Sequence, residues 1–357
     1  MNGQMKMAFT YSRNRLSQLI VVVLLAVTAF TLTTTRVSAA DDVTLNCKKD
    51  KSDAALDFST LGLHISPSVP VGTVLYSGSV TVTFICALNN LQQYYEGLTA
   101  EVFFKRQAIA EGALGYGLTL YTGYAGDLST EPASIATGQI VSTFAYTSGG
   151  TIGSYTTLSL TVPFEIVRTS SSMAASTLLP SYVNVFNVGS YVKGSDLKFY
   201  FTNIKQAIAV TDETCKVASD SNQTVTLGSY TASPTSGLGS AAGQSSEMTP
   251  FTINLNCEAL LSGRFDVMMQ FDGTAASGYS DAGVLALNAA STASGVGVQL
   301  LNESQQPLSL GSPFHVASYP LSSALISVPL YARYYQIADT VTPGSADAVA
   351  QYTISYQ

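Results

Sequence analysis

The densest group of potential ligand contacts in the sequence lies at residues 89–96. This segment places asparagine, glutamine, tyrosine and glutamate side chains close together. Amides and carboxylates can hydrogen-bond the hydroxyls of a sugar, and an aromatic ring can pack against its C–H face. The candidate ligand-binding residues are Asn89, Asn90, Gln93, Tyr94 and Tyr95. The alternative interpretation is a solvent-exposed turn whose tyrosines cover the edge of a β-sheet.

Two further aromatic clusters lie at residues 116–124 and 144–146. The chain has no tryptophan, so tyrosine would have to supply any stacking platform for a ligand. Tyrosines in strands more often pack on a half-buried sheet surface, and this is the alternative for both clusters.

Side chains suited to catalysis are scarce. Histidine occurs only at His64 and His315, which are too far apart in sequence to suggest a motif. Residues 278–283 contain one residue too many for a nucleophile elbow, and residues 237–243 do not match the dinucleotide-binding pattern G-x-G-x-x-G. We therefore expect no enzyme activity, no cofactor and no metal.

The four cysteines indicate disulfides. Cys47 precedes Cys86 by 39 residues, Cys215 precedes Cys257 by 42, and no C-x-x-C pair suggests a zinc site. Three pairings are possible, and one bridge within each of these pairs is the simplest. The second cysteine of each pair ends a row of alternating apolar residues, which places it on an inward face.

The N-terminus has the features of a secretory signal. Basic residues precede an apolar stretch at residues 19–32, and small residues at 37–40 offer a cleavage site after Ala39 or Ala40. The alternative is a membrane anchor, but a spanning helix needs about 20 apolar residues. Residues 1–40 are therefore predicted to be a signal peptide, and the mature chain is expected to be exported.

Charge and composition narrow the class of protein further. The full chain has a net charge of −7, and loss of the predicted signal removes four basic residues and no acidic one, which leaves −11. An acidic chain is a poor partner for nucleic acid or for an anionic membrane surface. Only 11% of residues are charged while 46% are hydrophobic, which is typical of an extracellular all-β protein.

Alternating apolar residues predict β-strands throughout the chain after the signal, and helical periodicity is hard to find. A mature chain of about 317 residues is too long for one β-sandwich and fits two. We predict an N-terminal domain at residues 41–209 and a C-terminal domain at residues 210–357. The clearest strands are 98–104, 158–166, 197–201, 265–271, 296–300 and 326–330.

The end of the chain alternates most regularly. Gly344 opens the last fourteen residues, and from Ala346 to Tyr356 every second residue is apolar or aromatic. This predicts a strand that is central in a sheet or an edge awaiting a partner. The ending closely resembles the C-terminal signature of subunits assembled by the bacterial chaperone–usher pathway, whose terminal strand contacts a periplasmic chaperone and then a neighbouring subunit. The residues that the resemblance assigns to this contact are Gly344, Tyr352, Ile354 and Tyr356.

The predicted C-terminal domain is similar to a fimbrial pilin domain in the order and spacing of its segments, namely Cys215, 224–228, 251–257, 295–300 and the terminal strand. The resemblance implies an all-β fold of two tandem immunoglobulin-like β-sandwiches. In that fold the C-terminal sandwich is an incomplete pilin domain, completed by a strand from the N-terminal extension of the adjacent fimbrial subunit.

The N-terminal domain has a looser resemblance to the lectin domain of type 1 fimbrial tip adhesins, carried by Cys47, the extended Val71-Gly72 stretch and Phe84-Ile-Cys86. In those lectins, polar residues directly after the equivalent cysteine bind sugar. Here Ala87 and Leu88 occupy that place, and the asparagines follow later. The resemblance therefore implies adhesion and leaves the ligand open.

The expected function is a fimbrial tip adhesin that attaches bacteria to a host surface. Only about six residues separate the predicted cleavage site from Cys47 and span ~20 Å at most, too few to donate a strand. The expected location is the fimbrium tip on a Gram-negative bacterium, reached through the periplasm. The expected partners are a periplasmic chaperone, the outer-membrane usher, the extension of the adjacent subunit, and a host glycan or glycoprotein receptor, without nucleic acid. The alternative is a non-adhesive tip initiator with a structural role in assembly.

Overall fold

The computed structural model of the chain describes residues 44–50, 56–89, 97–145, 153–175, 182–192, 196–212, 215–218 and 222–357. In these ranges the regular secondary structure is β-strand, apart from one short helix, α1 (Ile204–Ala207). No helix of the described residues has the length and apolarity required to cross a membrane. The predicted all-β fold class is confirmed.

The strands before residue 212 build the first sandwich. Most of them alternate buried and exposed residues, as a sheet with one face on a core requires. In chain order they are β1 (Leu45–Lys49), β2 (Leu56–Asp57), β3 (Leu63–Ile65), β4 (Val74–Leu88), β5 (Ala100–Arg106), β6 (Leu118–Tyr124), β7 (Asp127–Ser129), β8 (Ala133–Val141), β9 (Thr156–Arg168), β10 (Tyr182–Gly189), β11 (Leu197–Thr202) and β12 (Ile208–Val210).

These strands form two five-stranded sheets, in the orders β1-β4-β9-β6-β7 and β2-β11-β10-β5-β8, and a short parallel pair of β3 with β12. Aromatic rings join the two sheets across the core. Phe164 of β9 meets Phe201 of β11 edge-on, with ring centroids 5.3 Å apart. Each such pair contributes about 0.5–1.5 kcal/mol beyond the area it buries.

The second sandwich also has two sheets, in the orders β13-β14-β19-β17-β16 and β18-β15-β20. Its buried rows follow the predicted alternation, as in β15, where Val267, Met269 and Phe271 face the core. In chain order its strands are β13 (Lys216–Val217), β14 (Thr249–Asn256), β15 (Asp266–Asp272), β16 (Val284–Leu285), β17 (Val296–Leu301), β18 (Pro313–Ser318), β19 (Leu325–Gln336) and β20 (Gln351–Tyr356).

The terminal strand is shorter than the alternation predicts. The alternating run begins at Ala346, whereas β20 pairs with β15 only from Gln351 onward. A strand exists as a strand only where a neighbouring backbone accepts and donates its hydrogen bonds. Residues 346–350 therefore keep the alternating side chains without belonging to a ladder.

Each sandwich contains a disulfide. Cys47 on β1 is bonded to Cys86 on β4, and Cys215 is bonded to Cys257. All four side chains are buried. Closing loops of this length stabilises the fold by about 4 kcal/mol each in the chain-entropy model.

The two sandwiches are in direct contact at the connection between them. The Ser262 N–H donates to the carbonyl oxygen of His64 at 2.8 Å, and the His64 N–H donates to Ser262 Oγ at 2.9 Å. Residues 208–210 of the connection pair with β3 of the first sandwich. The division into domains at residue 210 stays a prediction, because contacts of this kind do not show whether each part folds alone.

Candidate functional site

The second sandwich has an open groove of about 500 Å³, here called the C-terminal groove. Two chain segments form its walls, Asn222–Gly228 on one side and Ala346–Ala350 with Tyr352 on the other. Its floor consists of core side chains from both sheets: Phe251, Ile253, Phe271, Leu285, Val298, Leu300, Ala332 and Tyr334.

The floor of the C-terminal groove is part of the hydrophobic core. Ile253 and Leu300 are almost fully buried, and Phe271 packs its ring against Phe314 and Tyr352. A core of this kind is normally covered by strand backbone and side chains on every side. Here the core instead borders an open groove, and the space between the two walls could take one more extended segment.

In the first wall, half-buried and exposed residues alternate as in a β-strand, but the segment pairs with no neighbouring strand among the described residues. Val225 and Leu227 are half-buried and pack against the core, whereas Thr224, Thr226 and Gly228 are exposed. None of the backbone hydrogen bonds among the described residues involves residues 223–228. This wall therefore presents unpaired N–H and C=O groups, which a strand entering the groove could bond.

On its outer side the second wall is hydrogen-bonded to residues 288–291. The carbonyl oxygen of Asp347 accepts from the Asn288 N–H at 2.7 Å, and the Asp347 N–H donates to Ser291 Oγ at 2.9 Å. Ala348 and Ala350 point to the core, and their small side chains leave the groove wide. A β-branched or aromatic residue at either position would narrow it.

A tyrosine on the floor ties the second wall to the sheet. The Tyr334 hydroxyl donates to the carbonyl oxygen of Ala346 at 3.3 Å, and its ring lies 5.9 Å from that of Tyr230. Burial raises the pKa of Tyr334, and the nearby charge of Asp347 raises it further. The hydroxyl therefore stays protonated and able to donate at physiological pH.

Of the four residues predicted to contact chaperone and donated strand, Tyr352 lines the C-terminal groove. Ile354 pairs with Met269 farther along β20. Tyr356 lies at the end of the sandwich, where its hydroxyl oxygen accepts from the Cys215 N–H at 3.0 Å. Gly344 lies against Ala293, whose nitrogen would be 2.5 Å from an added Cβ. The role of all four in partner contact stays a prediction.

The sequence did not predict that the first wall contacts a partner, although residues 224–228 contribute to the resemblance to a pilin domain. The sequence feature that could have indicated this wall is the alternation of Thr224, Val225, Thr226 and Leu227, downstream of Cys215. Four residues of alternation are too few to predict a strand, and nothing local shows that the segment borders a gap.

Asn89 follows the last residue of β4, at the end of the first sandwich opposite the junction. β4 begins at Val74, beside the residues that meet Gly263 of the second sandwich, and runs for 15 residues, which is about 50 Å. The Asn89 N–H donates to the carbonyl oxygen of Thr44 at 2.8 Å. The other candidate ligand contacts, Asn90, Gln93, Tyr94 and Tyr95, lie outside the described residues.

The tyrosines of residues 116–124 do not form one cluster. Tyr124 stacks on Phe104 within the sandwich, and its hydroxyl donates to the carbonyl oxygen of Thr137 at 3.3 Å. Tyr121 is on the opposite face of β6, paired with Glu165. The structure therefore divides these rings between the core and the outer surface.

Comparison with known proteins places the chain in a family. The family model described as "Fimbrial protein" matches residues 202–357. The protein "Fimbrial subunit type 1" of Klebsiella pneumoniae is 34% identical over 152 residues, which cover 42% of this chain and 79% of that protein. The chain belongs to the family of fimbrial proteins. The family predicted from the C-terminal signature is thereby confirmed.

This fimbrial protein also has a relative that spans both of its sandwiches. The "Fimbria adhesin protein" of Klebsiella pneumoniae is 24% identical over 318 residues, which cover 87% of this chain and 94% of that protein. Among solved structures, the chain is similar to the CupB6 tip adhesin from Pseudomonas aeruginosa, with 16% identity, a TM-score of 0.37, and coverage of 88% of this chain and 95% of that chain. These relatives are fimbrial subunits and adhesins, not enzymes.

Proposed function

We propose that this fimbrial protein is a tip adhesin of the chaperone–usher type. The N-terminal extension of the adjacent subunit inserts as a strand into the C-terminal groove and anchors the chain to the fimbria. The observation that carries the proposal is the groove itself, in which the half-buried residues Phe251 and Tyr334 line the floor between two walls.

The chemistry of the C-terminal groove supports an extended peptide as its occupant. The first wall offers backbone groups that no described residue bonds, and β20 is an edge strand of its sheet. Main-chain hydrogen bonds to such edges give affinity, and alternate side chains entering apolar pockets give specificity. A donor with apolar residues at every second position fits the floor.

An open apolar groove explains why assembly would require both a chaperone and an usher. Exposed core and an unpaired edge favour aggregation, so a periplasmic chaperone must cover the groove until the outer-membrane usher adds the next subunit. The donor then replaces the chaperone. Tyr352 lines the C-terminal groove, and Ile354 and Tyr356 follow it on the edge strand β20, so the proposal assigns all three to contact with these partners.

The first sandwich supports the adhesive role. The fimbrial family model begins at residue 202, so it leaves out β1 to β10 of the first sandwich, whereas the adhesin relative from Klebsiella covers 87% of this chain. A module that fibre assembly does not require is free to bind a host glycan or glycoprotein receptor. Asn89 lies at the end of this sandwich away from the junction, which is the end a fimbrial tip would present.

Donor insertion can be tested with the full chain, purified with its chaperone and then given a peptide of the neighbouring subunit's N-terminal extension. The peptide should raise the free energy of unfolding by about 2.7 kcal/mol at a hundredfold excess over its Kd. Val225→Asp places a charge against the groove and should abolish the gain. Leu325→Asp adds the same charge at an exposed residue outside the groove and should preserve the gain.

A peptide whose alternating apolar residues are replaced by serine should give no stabilisation. A full chain that is monomeric and stable without chaperone, and indifferent to the donor peptide, would contradict insertion. Adhesion is tested separately by the binding of fimbriated cells to host cells. Fimbriae that assemble normally but never bind would indicate a non-adhesive tip initiator.

A further inference from the structure

The outer face of the second sheet of the first sandwich, away from the C-terminal groove, carries two tyrosine rings, two asparagine amides and an exposed lysine. This surface, here called the lateral face, is formed by β10 and β11 and bordered by β5. It is defined by Tyr182, Asn184, Asn187, Lys198 and Tyr200.

Strand register assembles these residues into neighbouring rows. Asn187 pairs with Lys198 on one side and with Lys105 on the other, and Asn184 pairs with Tyr200. Neighbouring strands are about 4.8 Å apart, so side chains within a row are in reach of one ligand. A register shift between Asn184 and Phe186 puts both asparagines on the outer side of β10.

The two tyrosines form a preorganised aromatic platform. The rings of Tyr182 and Tyr200 are perpendicular, with centroids 5.3 Å apart. Tyr182 is 56% exposed, and neither hydroxyl is hydrogen-bonded within the described part of the chain. Rings held by one another lose less rotamer entropy when a ligand stacks on them.

The amides beside this platform are fixed as well. In the amide orientation that satisfies its neighbours, Asn184 Nδ2 donates to the carbonyl oxygen of Phe199 at 2.9 Å and to Asn187 Oδ1 at 3.1 Å. Asn187 is only 8% exposed. The lateral face therefore has a rigid polar centre between its rings and its lysines.

The charges of the lateral face are unbalanced. Lys105 forms an ion pair with Asp196 at 2.9 Å, and Gly189 makes room for it, because a Cβ there would overlap the Asp196 carboxylate. Lys198 in the same row is exposed and has no acidic partner among the described residues. An exposed ammonium beside aromatic rings can form a charge-assisted hydrogen bond with an anion at short range.

We propose that the lateral face binds a glycan chain that carries a carboxylate or sulfate group. The rings of Tyr182 and Tyr200 stack against sugar C–H faces, the tyrosine hydroxyls bond sugar hydroxyls, and Lys198 pairs with the acidic group. A single unpaired lysine suits one acidic substituent and not the dense charge of a nucleic acid or membrane. The proposal rests on the adhesive role proposed above and names a ligand class for it.

The test uses cells that display the full chain on their fimbriae, with display matched by antibody staining. The probe is an array of glycan pairs that differ only by a terminal carboxylated sugar or a sulfate. We expect retention on the acidic members, lost at higher salt. Lys198→Glu should weaken binding to acidic members about tenfold or more, and Tyr200→Ala should weaken it about tenfold.

Matched controls separate the lateral face from general charge and surface effects. Lys205→Glu makes the same charge change at an exposed residue of α1, and Tyr121→Ala removes a ring from the outer face of the other sheet. Both variants should bind like the parent. Equal loss in Lys198→Glu and Lys205→Glu would overturn a specific site on the lateral face.

Each remaining result separates this proposal from the adhesive role. Glycan binding that Lys198→Glu and Tyr200→Ala leave unchanged overturns the lateral face and keeps the adhesin. Cells that bind host cells but no glycan on the array indicate a protein receptor, which overturns the ligand class alone. Cells that assemble fimbriae but bind neither host cells nor glycans overturn both proposals.

Discussion

At the scale of single residues, the first sandwich holds two arginines inside its core. Arg106 is paired, with Nη2 2.6 Å from Asp127 Oδ2 and Nε donating to the carbonyl oxygen of Glu131. Arg168 is fully buried and donates to carbonyl oxygens, and no carboxylate pairs with it among the described residues. Burial lowers the pKa of Arg168 because its charged form is poorly solvated there.

Replacing Arg168 tests whether this cation holds two loops together. Its Nη1 donates to the carbonyl oxygen of Tyr116 at 2.7 Å, and its Nη2 donates to that of Ser171 at 3.3 Å. Arg168→Met removes the desolvation cost but leaves the carbonyl oxygens of Tyr116 and Ser171 without this donor, so urea denaturation should show a loss of about 1–3 kcal/mol. Lys205→Met, at an exposed site, should change almost nothing. Equal stability of Arg168→Met and the parent would mean that water replaces the guanidinium.

Ionisation of two tyrosines should lower the stability of the second sandwich at alkaline pH. Burial raises the pKa of Tyr319 well above the ordinary value of 10.0, and it also raises that of Tyr334. A group with a raised pKa in the folded state stabilises fully below its unfolded pKa, and this contribution is lost as pH rises through the folded value. The free energy of unfolding should therefore fall as pH increases above about 10.

Substitution of Tyr319 tests whether its ionisation causes the loss of stability at alkaline pH. The Tyr319 hydroxyl donates to the carbonyl oxygen of Glu258 at 2.8 Å, so Tyr319→Phe should reduce stability at neutral pH by about 1 kcal/mol. The same variant should show a shallower decline between pH 10 and pH 12 in urea denaturation series, because it has no proton to lose. A decline as steep as that of the parent would locate the effect elsewhere.

At the scale of elements, the sequence predicted the strands that have partners on both sides and a buried face. The predicted strands at 265–271 and 296–300 correspond closely to β15 and β17, because alternating apolar side chains in the sequence reflect the burial of one strand face. Strands of two or three residues, such as β2 and β16, contain too little alternation to be recognised.

The candidate site was harder to predict than the strands. The alternating alanines of the second wall were predicted to be part of the terminal strand, and the structure instead places them beside the groove. Predicting the first wall at 222–228 required knowledge of which segments lie side by side. The lateral face depends on the register shift within β10 and on the pairing of β10 with both β5 and β11. Register across strands distant in sequence is a property of the folded chain, and local periodicity does not contain it.

At the scale of the whole molecule, the two sandwiches meet through close backbone contacts. Gly263 of the second sandwich has a φ of 102°, and a Cβ there would overlap the side chain of Thr73 and lie 3.3 Å from Leu75 Cδ2. The contact continues through the two hydrogen bonds between His64 and Ser262. Under the proposed function, a pull on the receptor would reach the fibre through this contact.

Gly263→Ala tests whether this contact holds the sandwiches together. Alanine at Gly263 combines a strained backbone with an overlap against Thr73, so the contact should open. Hydrogen exchange of the full chain should then show faster exchange of the His64 and Ser262 amides, by about tenfold or more. Gly278→Ala is the matched control, because Gly278 also has a positive φ but nothing lies within 4 Å of its added Cβ. Equal protection of both amides in the two variants would mean that the junction adapts to the extra methyl group, and that its hydrogen bonds alone hold the sandwiches in place.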